Sequence, residues 1–167
     1  DIDDDQRQVG KVIELSAQYQ SGHGGFLAMA ANYDADPSDV ARVVYDKTHR
    51  EEWQHFEAMY SAKGAQRFGL EPFEWTGIKI LITKWRKANS RIVAVWRELE
   101  DAALAAVVSP GTVTGVRSLC HFGVWDNALW MRLPSGRKIC YNEPSVTEID
   151  TPWGERKPSV RVYGTEK

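Results

Sequence analysis

The sequence has no apolar run near the ~18 residues needed to span a membrane, and none of its residues form a signal-peptide pattern. Cysteine is scarce: Cys120 and Cys140 lie far apart, with no CxxC spacing. A disulfide between them stays open, and reduced, buried thiols in a cytosolic protein are the preferred reading. Net charge is also lacking. Lys and Arg number 21 against 23 Asp and Glu, leaving −2, so bulk electrostatics lends no support to nucleic-acid binding. A binding face would need locally concentrated bases. No internal repeat and no low-complexity segment is found. The chain starts at Asp1 without a methionine and is expected to be a fragment, although processing or trimming would leave the same start.

What is present suits one ordinary domain. The 167 residues are enough for a continuous core, and 26% charged with 43% apolar residues reads as globular. Seven tryptophans are many for this length; most are expected in the core. Acids gather at the ends, as Asp1, Asp3, Asp4 and Asp5, then Glu143, Glu148, Asp150 and Glu155. Between them Lys79, Lys84, Arg86, Lys87 and Arg91 make a locally basic stretch.

Periodicity predicts a helix over about 4–20, with an acidic start that complements the helix dipole and Val9, Val12, Ile13 and Ala17 on one side. The run from Ser21 to Gly25 ends it. Further helices are predicted over about 26–33, from Pro37 towards Lys63, over about 73–87, and from Asn89 or Ser90 to the stop at Ser109-Pro110-Gly111. The texture then turns β-branched and aromatic. Thr112 to Val124, Ala128 to Leu133, Lys138 to Asn142 and Ser159 to Tyr163 read as strands, with a hairpin turn at Pro134–Arg137 and another turn at Asp126-Asn127. The expected class is α+β, with a helical segment over 1–110 and an antiparallel β-hairpin element over 111–167.

Arg7, Lys11, Leu15 and Tyr19 are spaced four apart. Each such step turns about 400° around a helix, so neighbours drift by only about 40°. The result is one stripe, cationic at its start and apolar and aromatic at its end. An ordinary surface helix would look the same from spacing alone. The order nonetheless suits a nucleoside triphosphate laid along the helix. A forked guanidinium matches phosphate oxygens, and an ammonium can give a proton to a leaving pyrophosphate.

The stripe continues into Gln20-Ser21-Gly22-His23-Gly24-Gly25-Phe26-Leu27-Ala28-Met29-Ala30. Later come Lys84 to Val93 with Trp96, Leu99 and Glu100, and then Leu133 to Arg137 before Tyr141 and Pro144. These three blocks, in this order, resemble the fingers region of A-family DNA polymerases in its phage and prophage version. The resemblance spans nearly the whole chain. It implies that Arg7 and Lys11 hold the incoming deoxynucleoside triphosphate, with Lys11 the general acid. Leu15 would meet the sugar and Tyr19 would guard the template–primer base pair. Gln20, Gly22, Gly24 and Gly25 would form the turn holding back the next template base, and Arg137 and Lys138 would lie along nucleic-acid backbone. The three glycines have the composition of a hinge for a helix that swings over the nucleotide, or equally of a fixed tight turn.

Leu15 departs from the aromatic residue of bacterial members, and Gln20 from their glycine; His23 has no assigned role. The resemblance further implies magnesium in the complete enzyme, held by palm aspartates from motifs outside this chain. Neither an Asp-Tyr-Ser-type nor a His-Asp-Glu motif occurs here. The chain is therefore expected to be inactive alone, to work with the palm and thumb of the same polymerase on template–primer DNA, and to reside in the cytoplasm of a bacterial host without touching membrane.

Other groupings have plainer readings. Glu51, Glu52 and His55 fit a surface helix better than a metal site, and Gly22–Gly25 lacks the GK[ST] of a phosphate loop. Two rival functions are a non-enzymatic helical DNA-binding module, which near-neutral charge weighs against, and a protein-interaction domain packing its tryptophans on a partner.

Overall fold

The computed structural model describes residues 4–61, 67–150 and 155–164, apart from the side chain of Asp5. Among them the chain is α+β: six helices, then antiparallel sheets of four and two strands. It divides into two units, Asp1–Val93 and Ala94–Lys167.

In the first unit, α1 (Asp4–Ala17) buries Val9, Val12, Ile13 and Ala17. Helix α2 (His23–Asn32) folds back along it, and Gln8 Nε2 near the start of α1 donates to the Tyr33 carbonyl just past the end of α2 (2.7 Å). Helix α3 (Pro37–Asp46) starts where Asp36 accepts the Ser38 N–H and Pro37 supplies a preset φ. The expected single helix towards Lys63 is instead two. The Thr48 hydroxyl bonds back to the Val44 carbonyl and His49 is extended, so α4 (Arg50–Glu57) starts afresh; the end of that expectation lies outside the described residues.

Helix α5 (Pro72–Ala88) is the spine of this unit. It opens with a reciprocal cap between Glu71 and Glu74 and Pro72 at its first position. Ile78, Ile80 and Ile82 are buried, and Val44, Trp53 and Ile80 form one cluster. Gly77 sets how closely α3 approaches, because a Cβ there would stand 2.6 Å from Ala41 Cα.

In the second unit, α6 (Ser90–Val108, whose first four residues fall in the first unit) contributes Ala102 and Ala106 to a cluster with Val116, Cys120, Phe122 and Leu129. The sheet is a meander of β1 (Val113–Val116), β2 (Cys120–Trp125), β3 (Ala128–Arg132) and β4 (Lys138–Asn142), each paired with its sequence neighbour. The expected stretch Thr112–Val124 is broken at Arg117, which turns the chain at φ 50°. Asp126 and Asn127, both at positive φ, make the two-residue turn between β2 and β3. Register puts Phe122, Met131 and Ile139 in one row on the face towards α6, and His121, Arg132 and Lys138 in one row on the other.

Both cysteines are free. Cys120 is buried, which pushes its thiol up, whereas Cys140 is exposed, contrary to the expectation that both are buried. Strand β6 (Arg156–Arg161) covers part of the stretch expected to be extended near the end. Its partner β5 (Ser145–Asp150) was not foreseen: mostly exposed on both faces, it lacks the alternation that marks a half-buried strand.

Candidate functional site

Helix α1 separates a buried side from a wet one. Its apolar residues anchor it, Ser16 returns its hydroxyl to the Ile13 carbonyl (3.2 Å), and Glu14 accepts the Trp85 indole N–H from α5 (2.7 Å). On the open side stand Arg7 and Lys11, both exposed, with Leu15 half-buried. The helix ends at Ala17, three residues earlier than expected, because Gln20 adopts φ 63° and its N–H caps the Ala17 carbonyl (3.1 Å). Tyr19 therefore stands in the turn, 77% exposed, instead of on the helix.

The two cations differ in what holds them. Arg7 lies 3.9 Å from Asp4 in a largely exposed pair that water and salt screen, so it holds the arginine only loosely. Lys11 places Nζ 4.2 Å from the centre of the Tyr33 ring, a contact that the return of α2 creates.

The turn after α1 is fastened from α5. Arg86 donates to the carbonyls of Ser21 (3.2 Å) and Gln20 (3.4 Å), while its buried Nε has no hydrogen-bond partner among the described residues. His23, without a role in the sequence reading, lies flat on Trp75 with ring centres 5.0 Å apart and planes 11° apart; it also stacks on Phe68 at 5.9 Å. Burial is the main cause that lowers its pKa; the bond to the Trp75 carbonyl opposes this, and the charges of Lys79, Arg67 and Arg86 add to it. Burial also lowers Lys79 and Arg86. Neither forms an ion pair among the described residues.

The glycines of this turn do not use the backbone freedom expected of them. Gly22 is extended at φ −96°, and Gly24 and Gly25 belong to α2, which starts at His23 and not near Phe26. Gly24 and Gly25, unlike Gly22, are small for lack of space. A Cβ on Gly24 would come within 3.1 Å of the Phe68 ring, and one on Gly25 would collide with the Ser21 side chain.

Arg7, Lys11, Leu15 and Tyr19 thus share one element and the turn after it, with Gln20, Gly22, Gly24 and Gly25 following directly. Arg137 and Lys138 belong to the second unit, exposed at the β3–β4 turn, where Leu133 N donates to Arg137 O (2.8 Å) and Gly136 takes φ 82°. Sequence reasoning missed Tyr33 and the tether from Arg86. The basic stretch hinted at Arg86; nothing in the spacing pointed to Tyr33, which meets Lys11 only through the fold.

Among the described residues no three His, Cys, Asp or Glu side chains come together as a metal-holding group. No described helix is long and apolar enough to cross a membrane. Compared with curated proteins, the chain is 30% identical over 152 residues to the DNA polymerase of Bacillus phage SP02, covering 89% of this chain. It spans 17% of the length of that relative. The likeness relates the chain to a phage DNA polymerase. No family model matches it. No solved structure matches it.

Proposed function

We propose that the chain is the fingers segment of an A-family, phage-type DNA polymerase, which binds the incoming deoxynucleoside triphosphate on α1. The observation that carries this reading is the wet stripe of α1: Arg7 and Lys11 are exposed on a helix whose opposite side is buried in the core. Arg7 and Lys11 take the phosphates, Leu15 the sugar, and Tyr19 the template–primer pair. The turn from Gln20 to Gly25 holds the next template base, and Arg137 and Lys138 follow the backbone of DNA. Lys11 gives its proton to the departing pyrophosphate oxygen as the bond to the α-phosphorus breaks. Magnesium belongs to the complete enzyme, with its ligands in the palm, and the isolated chain is expected to extend no primer.

Two exposed cations give weak affinity. Even at an effective dielectric near 20, each phosphate contact at ~4 Å gains only about 4 kcal/mol before desolvation, and salt reduces it. Titrating isotope-labelled protein with a deoxynucleoside triphosphate at low salt should move the amide signals of Arg7, Lys11 and Tyr19. Shifts centred on Trp85 or Arg137 instead would refute the stripe assignment.

A further inference from the structure

The face of the four-stranded sheet turned away from α6 gathers further residues suited to DNA around Lys138. Cross-strand register aligns His121, Arg132 and Lys138 in one row. The adjacent row runs Val113, Gly123, Trp130 and Cys140, and Trp125 lies two residues on from Gly123. The rows are roughly 7 Å apart, two residues at about 3.4 Å each. Between them lies a groove of about 490 Å³ lined by these basic and aromatic side chains, with Asp126 as the acid at its rim.

Three observations give the groove its character. Trp125 is 44% exposed, although an indole normally hides its carbon surface. Gly123 permits this pose: the Trp125 ring lies back over its backbone, where any Cβ would collide with it. Arg132 and Lys138 are exposed and form no ion pair among the described residues. Flat apolar rings beside unpaired cations match a strand whose bases are free to stack and whose phosphates are close by. A paired duplex hides its base faces and matches only the cations.

We propose that this outer sheet face binds an unpaired DNA strand, with bases stacked on Trp125 and Trp130 and phosphates on Arg132 and Lys138. This rests on the polymerase reading for the kind of partner, but not on the triphosphate stripe, which belongs to the other unit. His121 lies beside Arg132 at the end of the cationic row. Gly123 is a positioning residue, acting through Trp125.

The test is a fluorescence titration of the full chain with oligothymidylate of roughly 12 nucleotides, inside the ~4–16 that one such surface takes. The single strand should quench tryptophan emission and bind more tightly than a duplex of equal length. Trp125→Ala and Trp130→Ala should each weaken binding about 5- to 150-fold. Replacing Arg132 or Lys138 by Ala should each reduce the slope of log affinity against log salt by about 0.7. Because a tryptophan variant can lose its fold, Gly123→Ala serves as the second arm: it should diminish the quench while leaving the salt slope unchanged.

Equal binding of duplex, or an unchanged salt slope in the Arg132→Ala, Lys138→Ala double variant, would overturn the proposal. So would a face that proves covered by protein, seen as self-association that these variants abolish with no oligonucleotide response. Triphosphate shifts at Arg7 and Lys11 are read separately. Their loss with the oligonucleotide response intact defeats the stripe, and the reverse defeats the sheet face.

Discussion

The ammonium of Lys11 rests 4.2 Å from the centre of the Tyr33 ring. The residue proposed to protonate pyrophosphate is therefore already engaged in the free protein, and a triphosphate has to draw it away. An exposed cation–π contact is worth about 0.5–1 kcal/mol. Tyr33→Leu keeps the carbonyl that receives Gln8 and frees the lysine, so triphosphate affinity should rise roughly two- to fivefold by the same figure. Calorimetry showing unchanged or weaker binding would mean that Lys11 does not meet the ligand.

In the complete polymerase, Lys11→Ala should slow the chemical step more than it weakens nucleotide binding, by about 10²–10⁴-fold for a lost proton donor. Arg7→Ala should mainly raise the apparent Kd for nucleotide, since its phosphate contact is made equally in ground and transition states. Single-turnover kinetics separates the two effects. The opposite pattern would exchange the roles.

Stability should fall in mild acid through His23. Burial, together with Lys79, Arg67 and Arg86, holds its folded pKa below the ordinary 6.5. Above pH 6.5 the ring is neutral folded and unfolded, and the stability it allows is fully present. As pH drops below that value the unfolded chain takes up the proton first, and stability is lost until the folded value is passed. His23→Phe retains the stack on Trp75 and should remove this part of the pH dependence. Urea unfolding of both proteins between about pH 8 and pH 5 tests it, since the unperturbed imidazole of the unfolded chain titrates within that range. Parallel curves would show that His23 is not the group responsible.

Two substitutions involving glycine should have opposite signs. Gln20 stands at φ 63°, where a side chain is disfavoured, so Gln20→Gly should stabilise by up to about 1 kcal/mol. Gly77 lies against Ala41 with no room for a methyl, so Gly77→Ala should cost about 1–3 kcal/mol as α3 and α5 are forced apart. Thermal unfolding of the two variants gives both signs. A neutral Gly77→Ala would mean that the helix pair has slack that its contacts do not show.

Much of this was legible from local chemistry. The helix around Val9, Val12 and Ile13, the helix start at Pro37 and the turn at Asp126-Asn127 are fixed by residues within a few positions of one another. The stripe from Arg7 to Leu15 follows from helical spacing alone. What eluded the sequence was decided at a distance or by a single dihedral angle. Gln20 ends α1 with an angle that glutamine rarely takes, and Thr48 breaks a helix through one hydroxyl. Gly24 and Gly25 suggested freedom but answer to Phe68 and Ser21. His23 acquires its stack from Trp75, 52 positions away.

The meander from β1 to β4 has a consequence for how the chain acquires its shape. Each strand pairs with the one beside it in sequence, across bends at residues 117–119, 126–127 and 133–137. Closing loops so short costs little chain entropy, and an isolated hairpin forms on the order of 1–10 μs. Assembly of this sheet therefore waits for no distant segment. Its contact order is low for a β structure, and the rate at which the strands zip is governed by the bends, above all the Asp126-Asn127 pair already set to reverse the chain.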